Sequence, residues 1–418
     1  MRNNIRFESG AATVLMAVTA LGVAACSESA EPVPPPAIEW VAPPKPTDRV
    51  LLDIYQVAVP AAGFEAHKYK DPNTPKNQAL DGWQMLSRAT GGLVTPHVTA
   101  RLHPPSVVEV PGLTAPPDLC NDEEMERVGD AITGAVVSAN APLPANIDRV
   151  VPLIVTNAKT ALDCNLVASM GYKGVLKVYK SSVVERPDYA HEIAHWYLAK
   201  SKVQHDNMVL CSTDTNTSVN ESCGVQEYGN PYTIMGNSDR YDPDPLSVFA
   251  LESLGIVGPA QIVTAQTNGE TRTTLESVAS PGSGGLKALR IPVVGNARTP
   301  RGGYTSQQLA NELACATDIY LELSSGRMHR EGKAGNRGLG VRAYIVDSRR
   351  RYWRDTFLLE ADFPAGEPRT IQFGNTMAIV RVEQLAAAQD NKAQNGRGTA
   401  VIHASVVSTS AKPLSACS

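Results

Sequence analysis

Five residues constrain this chain more than any others: His191-Glu192-Ile193-Ala194-His195. Residues four apart share one face of a helix, so both imidazoles can be presented to one ion. Glu192, one position on from His191, can reach a water held by that ion and act as general base. Zinc suits such a site because it polarises a carbonyl and brings the pKa of its water toward about 7. Tyr189, Ile193, Ala194, Trp196, Tyr197 and Leu198 predict that the helix is buried, and a strand precedes it. The bland alternative is a core helix with two satisfied histidines and no metal.

The first residues read as a targeting segment. Arg2 and Arg6 form a short basic region, and an apolar run of small residues extends from Ala11 to Ala25. It ends in Val23-Ala24-Ala25-Cys26, which resembles the bacterial lipobox. That resemblance implies a signal peptide over 1–25 and a lipidated Cys26 at the mature N-terminus. The run falls short of the roughly 20 residues that span a bilayer. Residues 26–47 are Pro-rich and predict an extended linker. The chain is then an exported lipoprotein, expected on the outer membrane or cell surface of a bacterium.

If Cys26 carries lipid, six cysteines remain, and an even count in an exported chain favours disulfides. Cys211 with Cys223 would close a short loop, and Cys315 with Cys417 would pin the C-terminus. Cys120 is expected to pair, with Cys164 the preferred partner; a thiolate cap on the zinc is the alternative. The net charge of −4 shows no concentrated basic face, so no nucleic acid is expected as a partner. A monomer is expected.

Helical spacing of Met125, Val128, Ile132 and Val136 predicts a helix opening at Asn121. Val150–Val155 reads as a buried strand. Val175–Tyr179 reads as another, either interior or an edge able to take a peptide as an added strand. From about Pro259 the pattern changes to short β-branched runs: Leu286–Val294, Asp318–Leu323, Val341–Val346, Thr356–Leu359, Met377–Val382 and Thr399–Val407. Turn residues separate them, which predicts a β-sandwich. The lone His329 and His403 and the cluster Arg349-Arg350-Arg351-Tyr352-Trp353 read as structural or solvated features of that part.

Downstream of the helix, His205-Asp206-Asn207 followed by Cys211 resembles the H-A-N…C segment of gametolysin-type peptidases. Glu227-Tyr228-Gly229-Asn230-Pro231-Tyr232-Thr233-Ile234-Met235-Gly236 resembles their segment E-Y-G-D-x-x-x-x-M-G, which holds the Met-turn of metzincins. Immune-inhibitor-A-type peptidases are similar next. Leu246–Val257 is similar to a following family helix, and the resemblance runs from about Val150 to Val407. It implies an α+β zincin, metzincin-like catalytic domain over 48–258 and an all-β sandwich accessory domain over 259–418. It implies zinc held by His191, His195 and His205, with Met235 as the Met-turn residue. It implies hydrolysis of a protein or peptide substrate, with Glu192 as catalytic base.

The metzincin pattern H-E-x-x-H-x-x-G-x-x-H is broken here. Leu198 stands at the glycine and Ser201 at the last histidine, so His205 comes four residues late. Four residues are about one helical turn, ~5.4 Å, so the chain must leave the helix before His205. Glu227 and Asp206 stay open as alternative third ligands. Some metzincins place a Tyr two residues after the Met-turn methionine as a donor to the oxyanion; here that position is Asn237. Tyr228, Tyr232 and Tyr241 are all near in sequence. The rival function is a decayed metallopeptidase that serves as a surface binding or adhesion protein. A hydrolase of another amide, such as a cell-wall peptide, is a third reading.

Overall fold

The structure is a computed structural model that describes residues 41–110, 122–137, 143–157, 174–179, 184–199, 203–211, 216–226, 228–230, 232–236, 246–278, 283–295, 307–324, 339–348, 354–359, 363–387 and 398–409. The expected signal peptide, Cys26, Cys120, Cys164, His329, the Arg349–Trp353 cluster and Cys417 lie outside them. Residues from Glu39 onward form one unit. Among the described residues, no helix is long and apolar enough to cross a membrane.

The N-terminal half is a layer of strands between helices. Strands β1 (Val50–Ala58), β2 (Val98–Leu102), β3 (Ser106–Val107), β4 (Arg149–Thr156) and β5 (Leu176–Tyr179) form one sheet in the order β2-β1-β4-β5, with β3 also on β1. Every described pairing in it is parallel. Parallel strands need crossover connections and both faces covered, so β-branched residues run on through them. Helices α1 (Thr74–Ala89) and α3 (Arg186–Leu198) pack on the face that carries Val50, Leu52, Ile54, Val151, Leu153, Leu176 and Val178. Helix α2 (Asp122–Val136) covers the other face through Val128 and Ile132, against Val57, Ile154 and Tyr179. The helix expected from Asn121 and both expected strands are therefore present. All four side chains of β5 are buried, and among the described residues it pairs with β4 alone. Its Lys177 Nζ donates to Asp130 on α2 at 2.9 Å.

The sequence after β5 runs through β6 (Val203–Leu210), β7 (Asn216–Ser218), β8 (Gly224–Gln226), α4 (Val248–Ser253), β9 (Ile262–Thr264), β10 (Gly269–Glu276) and β11 (Ala288–Pro292). It continues as α5 (Gln307–Ala314), β12 (Asp318–Ser324), β13 (Gly340–Val346), β14 (Arg354–Leu359), β15 (Pro368–Phe373), β16 (Thr376–Ala387) and β17 (Gly398–Ser408). Two sheets result, β8-β6-β14-β13-β12-β11-β9 and β10-β17-β16-β15-β7. They share a core in which Leu289, Ile319, Leu321, Ala343, Ile345 and Phe357 meet Ile371, Phe373, Val380, Ile402 and Val406. All six β-branched runs expected after Pro259 are strands, and the two sheets share one apolar layer.

The boundary expected at Gly258 does not divide the sheets. β6 pairs in parallel with β14, and β7 pairs in parallel with β15. The segment 203–226 thus belongs to the β layers although it precedes 258. Backbone pairing overrides the compositional shift from which the boundary was read. Residues 48–258 and 259–418 share these sheets. The Cys211–Cys223 disulfide forms as expected and ties the end of β6 to the start of β8. Cys315 is also disulfide-bonded.

The end of the Pro-rich linker is part of the fold. The Trp196 indole N–H donates to the Val41 carbonyl at 2.8 Å, and the Tyr197 hydroxyl donates to the Pro44 carbonyl at 3.0 Å. Pro44 is buried. The linker expected to reach Thr47 therefore docks from Val41 onward, because α3 offers two aromatic donors to carbonyls that proline-rich chain leaves unpaired.

Candidate metal centre

Helix α3 starts at a capping box. The Glu185 backbone N–H donates to Asp188 Oδ2 at 2.7 Å, and Pro187 occupies the first turn. Its side chains are buried nearly all round, from Pro187 to Ala194 and again from Trp196 to Leu198. Helix α1 approaches closely at Gly82, where a Cβ would stand 2.7 Å from the Arg186 carbonyl oxygen. A helix packed on every side holds its rotamers, so His191, Glu192 and His195 are fixed in direction.

Helix α3 ends at Leu198 and β6 opens at Val203. That exit answers the broken spacing. His205 reaches the site from a strand, and the ligand nitrogens of His191, His195 and His205 all lie within 4.8 Å of one another. Ring centroids are 4.5 Å apart for His191 and His195, and 5.1 Å for His195 and His205. Among the described residues this is the one group of three or more potential metal ligands.

The His191 Nδ1–H donates to the Ile234 carbonyl, since a carbonyl can only accept. Its Nε2 is left with a lone pair, 2.9 Å from His195 Nε2. Two imidazole nitrogens that close need a proton or cation between them. Two nitrogens bound to one tetrahedral zinc stand about 3.3 Å apart for bonds of ~2.0–2.1 Å, which this pair approaches. Burial lowers the pKa of all three histidines, His205 to about 3, and holds them neutral. Neutral imidazole is the form that ligates.

Glu192 is 1% exposed, and neither carboxylate oxygen has a hydrogen-bond partner. Burial, reinforced by the Asp188 carboxylate, pushes its pKa well above the ordinary value. An unpaired buried carboxyl is costly, and native folds seldom keep one without a use. The donor set and this orphaned acceptor together fit a metal with a water beside it.

The segment carrying Met235 is sewn to β6. Asp206 N donates to the Met235 carbonyl at 2.9 Å, and Asn230 N donates to the Asp206 carbonyl at 3.2 Å. The Asp206 carboxylate accepts from the hydroxyls of Thr233 and Thr356. Both its oxygens are thereby engaged, and strand alternation turns it to the face opposite His205. Asp206 is thus a clamp and not the third ligand. Glu227, the other alternative, lies outside the described residues. Asn230 Oδ1 accepts from Tyr232 N at 2.9 Å, and Asn230 Nδ2 donates to the Tyr344 hydroxyl at 3.2 Å. Met235 is fully buried in the core shared with α3, next to the residue that receives His191.

No family model, curated protein or solved structure matches this chain. The clamp role of Asp206 was missed in the sequence. The available signal was a pair of short polar residues, Asp206-Asn207, inside a strand whose neighbours Met208 and Val209 are apolar. The expected downstream helix shortens to the six residues of α4, ending before Gly255 at φ 74°.

Gly236 is expected to be the least replaceable residue of this segment. A Cβ there would stand 2.1 Å from the Asn230 carbonyl oxygen, and backbone cannot swing aside as a side chain can. Gly236→Ala should destabilise by at least the ~1–3 kcal/mol typical of overpacking. It should also displace the Ile234 carbonyl that orients His191, which costs metal affinity about 10–100-fold by analogy with other outer-shell losses. Thermal melting with and without an added divalent metal measures both.

Proposed function

We propose that this chain is a zinc-dependent endopeptidase of metzincin-like type, exported as a lipoprotein anchored through Cys26. One observation carries the reading. Three imidazoles converge to within 4.8 Å, and the helix that carries two of them also carries a buried carboxyl group, Glu192, with no partner. His191, His195 and His205 would hold the ion. Zinc bound there supplies Lewis acidity to the scissile carbonyl and acidifies water. Glu192, whose raised pKa a bound divalent cation would bring back down, takes the proton of the attacking water and passes it to the leaving amine, and the bond cleaved is a peptide bond. The Ile234 carbonyl fixes the tautomer of His191, a common outer-shell partner of a metal histidine.

The β half is more than an accessory in this reading, because β6 carries the third ligand and belongs to its sheet. The rival reading, a decayed binding protein, drew on the broken spacing, and the convergence of His205 removes that support. The substrate class is extracytoplasmic protein. The soluble chain without its leader should bind about one zinc, as three histidine ligands with a fourth position left for water imply. Casein cleavage should stop with 1,10-phenanthroline and return with zinc. Stoichiometric absence of zinc after expression in zinc-supplemented medium would sink the proposal.

A further inference from the structure

The Pro-rich segment at residues 41–47 is held as a ligand is held. It reads Val41-Ala42-Pro43-Pro44-Lys45-Pro46-Thr47. Proline fixes φ and brings no N–H, so such a chain is extended in advance and offers carbonyls without donors to match. Grooves that bind proline-rich peptides are lined by aromatic side chains. Here the aromatic pair is Trp196 and Tyr197, which donate to the carbonyls of Val41 and Pro44. Trp196 is fully buried, and the Arg149 guanidinium lies 5.2 Å over its ring.

Both ends of the segment are fixed. Val41 is seated on Gly174, whose φ is 78° and where a Cβ would stand 3.0 Å from Val41 Cγ1. At the other end the Lys45 N–H donates to Asp48 Oδ2 at 2.9 Å, and the Asp48 N–H donates to the Lys45 carbonyl at 3.0 Å. Thr95 Oγ1 then donates to the Asp48 carbonyl at 2.8 Å, and β1 opens at Val50. Residues 41–48 thus form a strap from α3 to an interior strand of the parallel sheet. The strap meets α3 at its weakest point. The last carbonyls of a helix have no partner within it, so the last turn frays first. That turn holds His195, and the two aromatic donors follow it directly.

We propose that residues 41–47 are a proline-rich ligand built into the chain, whose hold on Trp196 and Tyr197 keeps the last turn of α3, and with it His195, in place for the ion. This rests on the zinc-peptidase reading. The strap makes the site sensitive to where the linker is trimmed. A cut ahead of Val41 frees the chain from an anchor at Cys26 and leaves the metal helix held. A cut that also takes residues 41–47 lets the last turn of α3 loosen, and the metal is held less tightly.

Two shortened chains without lipid test this, one beginning at Glu39 and one at Asp48. Zinc affinity by chelator competition should fall about 10–100-fold in the chain from Asp48, the usual loss when a group behind a metal ligand is removed. Amide exchange measured without zinc should speed up about tenfold in the last turn of α3, for two lost hydrogen bonds. It should stay unchanged in α2, which packs on the other face of the sheet. Tyr197→Phe in the chain from Glu39 removes one donor and keeps the ring, so it serves if the shorter chain does not fold. There exchange should rise about fivefold, with weaker zinc binding. Equal zinc affinity with and without the strap, or in Tyr197→Phe and its parent, overturns the proposal even if Tm falls, since the strap then only supports the fold. Exchange that rises as much in α2 as in α3 overturns it as well. A chain from Glu39 that binds no zinc overturns the peptidase reading and this inference together, whereas zinc in that chain leaves the strap variants to decide this one.

Discussion

Glu192→Gln is expected to abolish peptide cleavage while the protein keeps its zinc. The substitution leaves all three candidate ligand histidines in place, so stoichiometry should stay at the wild-type value. The amide cannot take a proton from water, and general-base loss costs about 10²–10⁴ in rate. Stability should hold or rise. Both Glu192 oxygens are buried without partners, and burial already disfavours the charged form. A neutral amide of nearly the same shape never has to ionise in that buried position, in the way that catalytic groups are often exchanged for stability. Casein turnover, zinc content and Tm on the same preparation check this. Undiminished cleavage by the variant would refute the assigned mechanism. Loss of zinc together with a fall in Tm would make Glu192 structural.

His205→Ala should cost the metal itself. It removes a whole ligand, so zinc affinity should fall by more than the ~10–100-fold that loss of an outer-shell partner costs. Activity should vanish with it. The fold should survive, because β6 is held by backbone pairing to β14 and β8 and by the Asp206 clamp. Glu227→Gln is the matched control, since Glu227 is the remaining rival for the third position. Zinc lost in Glu227→Gln and retained in His205→Ala would reassign the ligand. Equilibrium dialysis against a zinc buffer, with circular dichroism to confirm folding, separates these results.

The local features were legible in the sequence for physical reasons. The helix of His191 and His195 follows from i,i+4 geometry and an apolar surround. The strands β4, β12, β13, β16 and β17 follow from β-branched runs between turn residues. The Cys211–Cys223 pairing follows from a short loop between two cysteines. The domain boundary was not legible. It was read from a change in composition at Pro259, whereas β6 and β7 join sheets whose other strands come later in the chain. Strand pairing between residues 150 apart, such as Asp206 and Thr356, leaves no signature in either segment alone. The role of Asp206 went unseen for the same reason, because its partners Thr233 and Thr356 are distant in sequence.

By itself the sequence determined two of the three imidazoles, the acid beside them and the helix that aims them. Those are consequences of a 3.6-residue repeat, which acts over one turn. Whether His205 completes the set was decided only by the tertiary structure. The chain leaves α3 at Leu198, and β6 is placed by β14, by β8 and by the segment that ends in Met235. Local periodicity fixes direction within one element. The meeting of a helix histidine with a strand histidine is fixed by the packing of elements far apart in sequence.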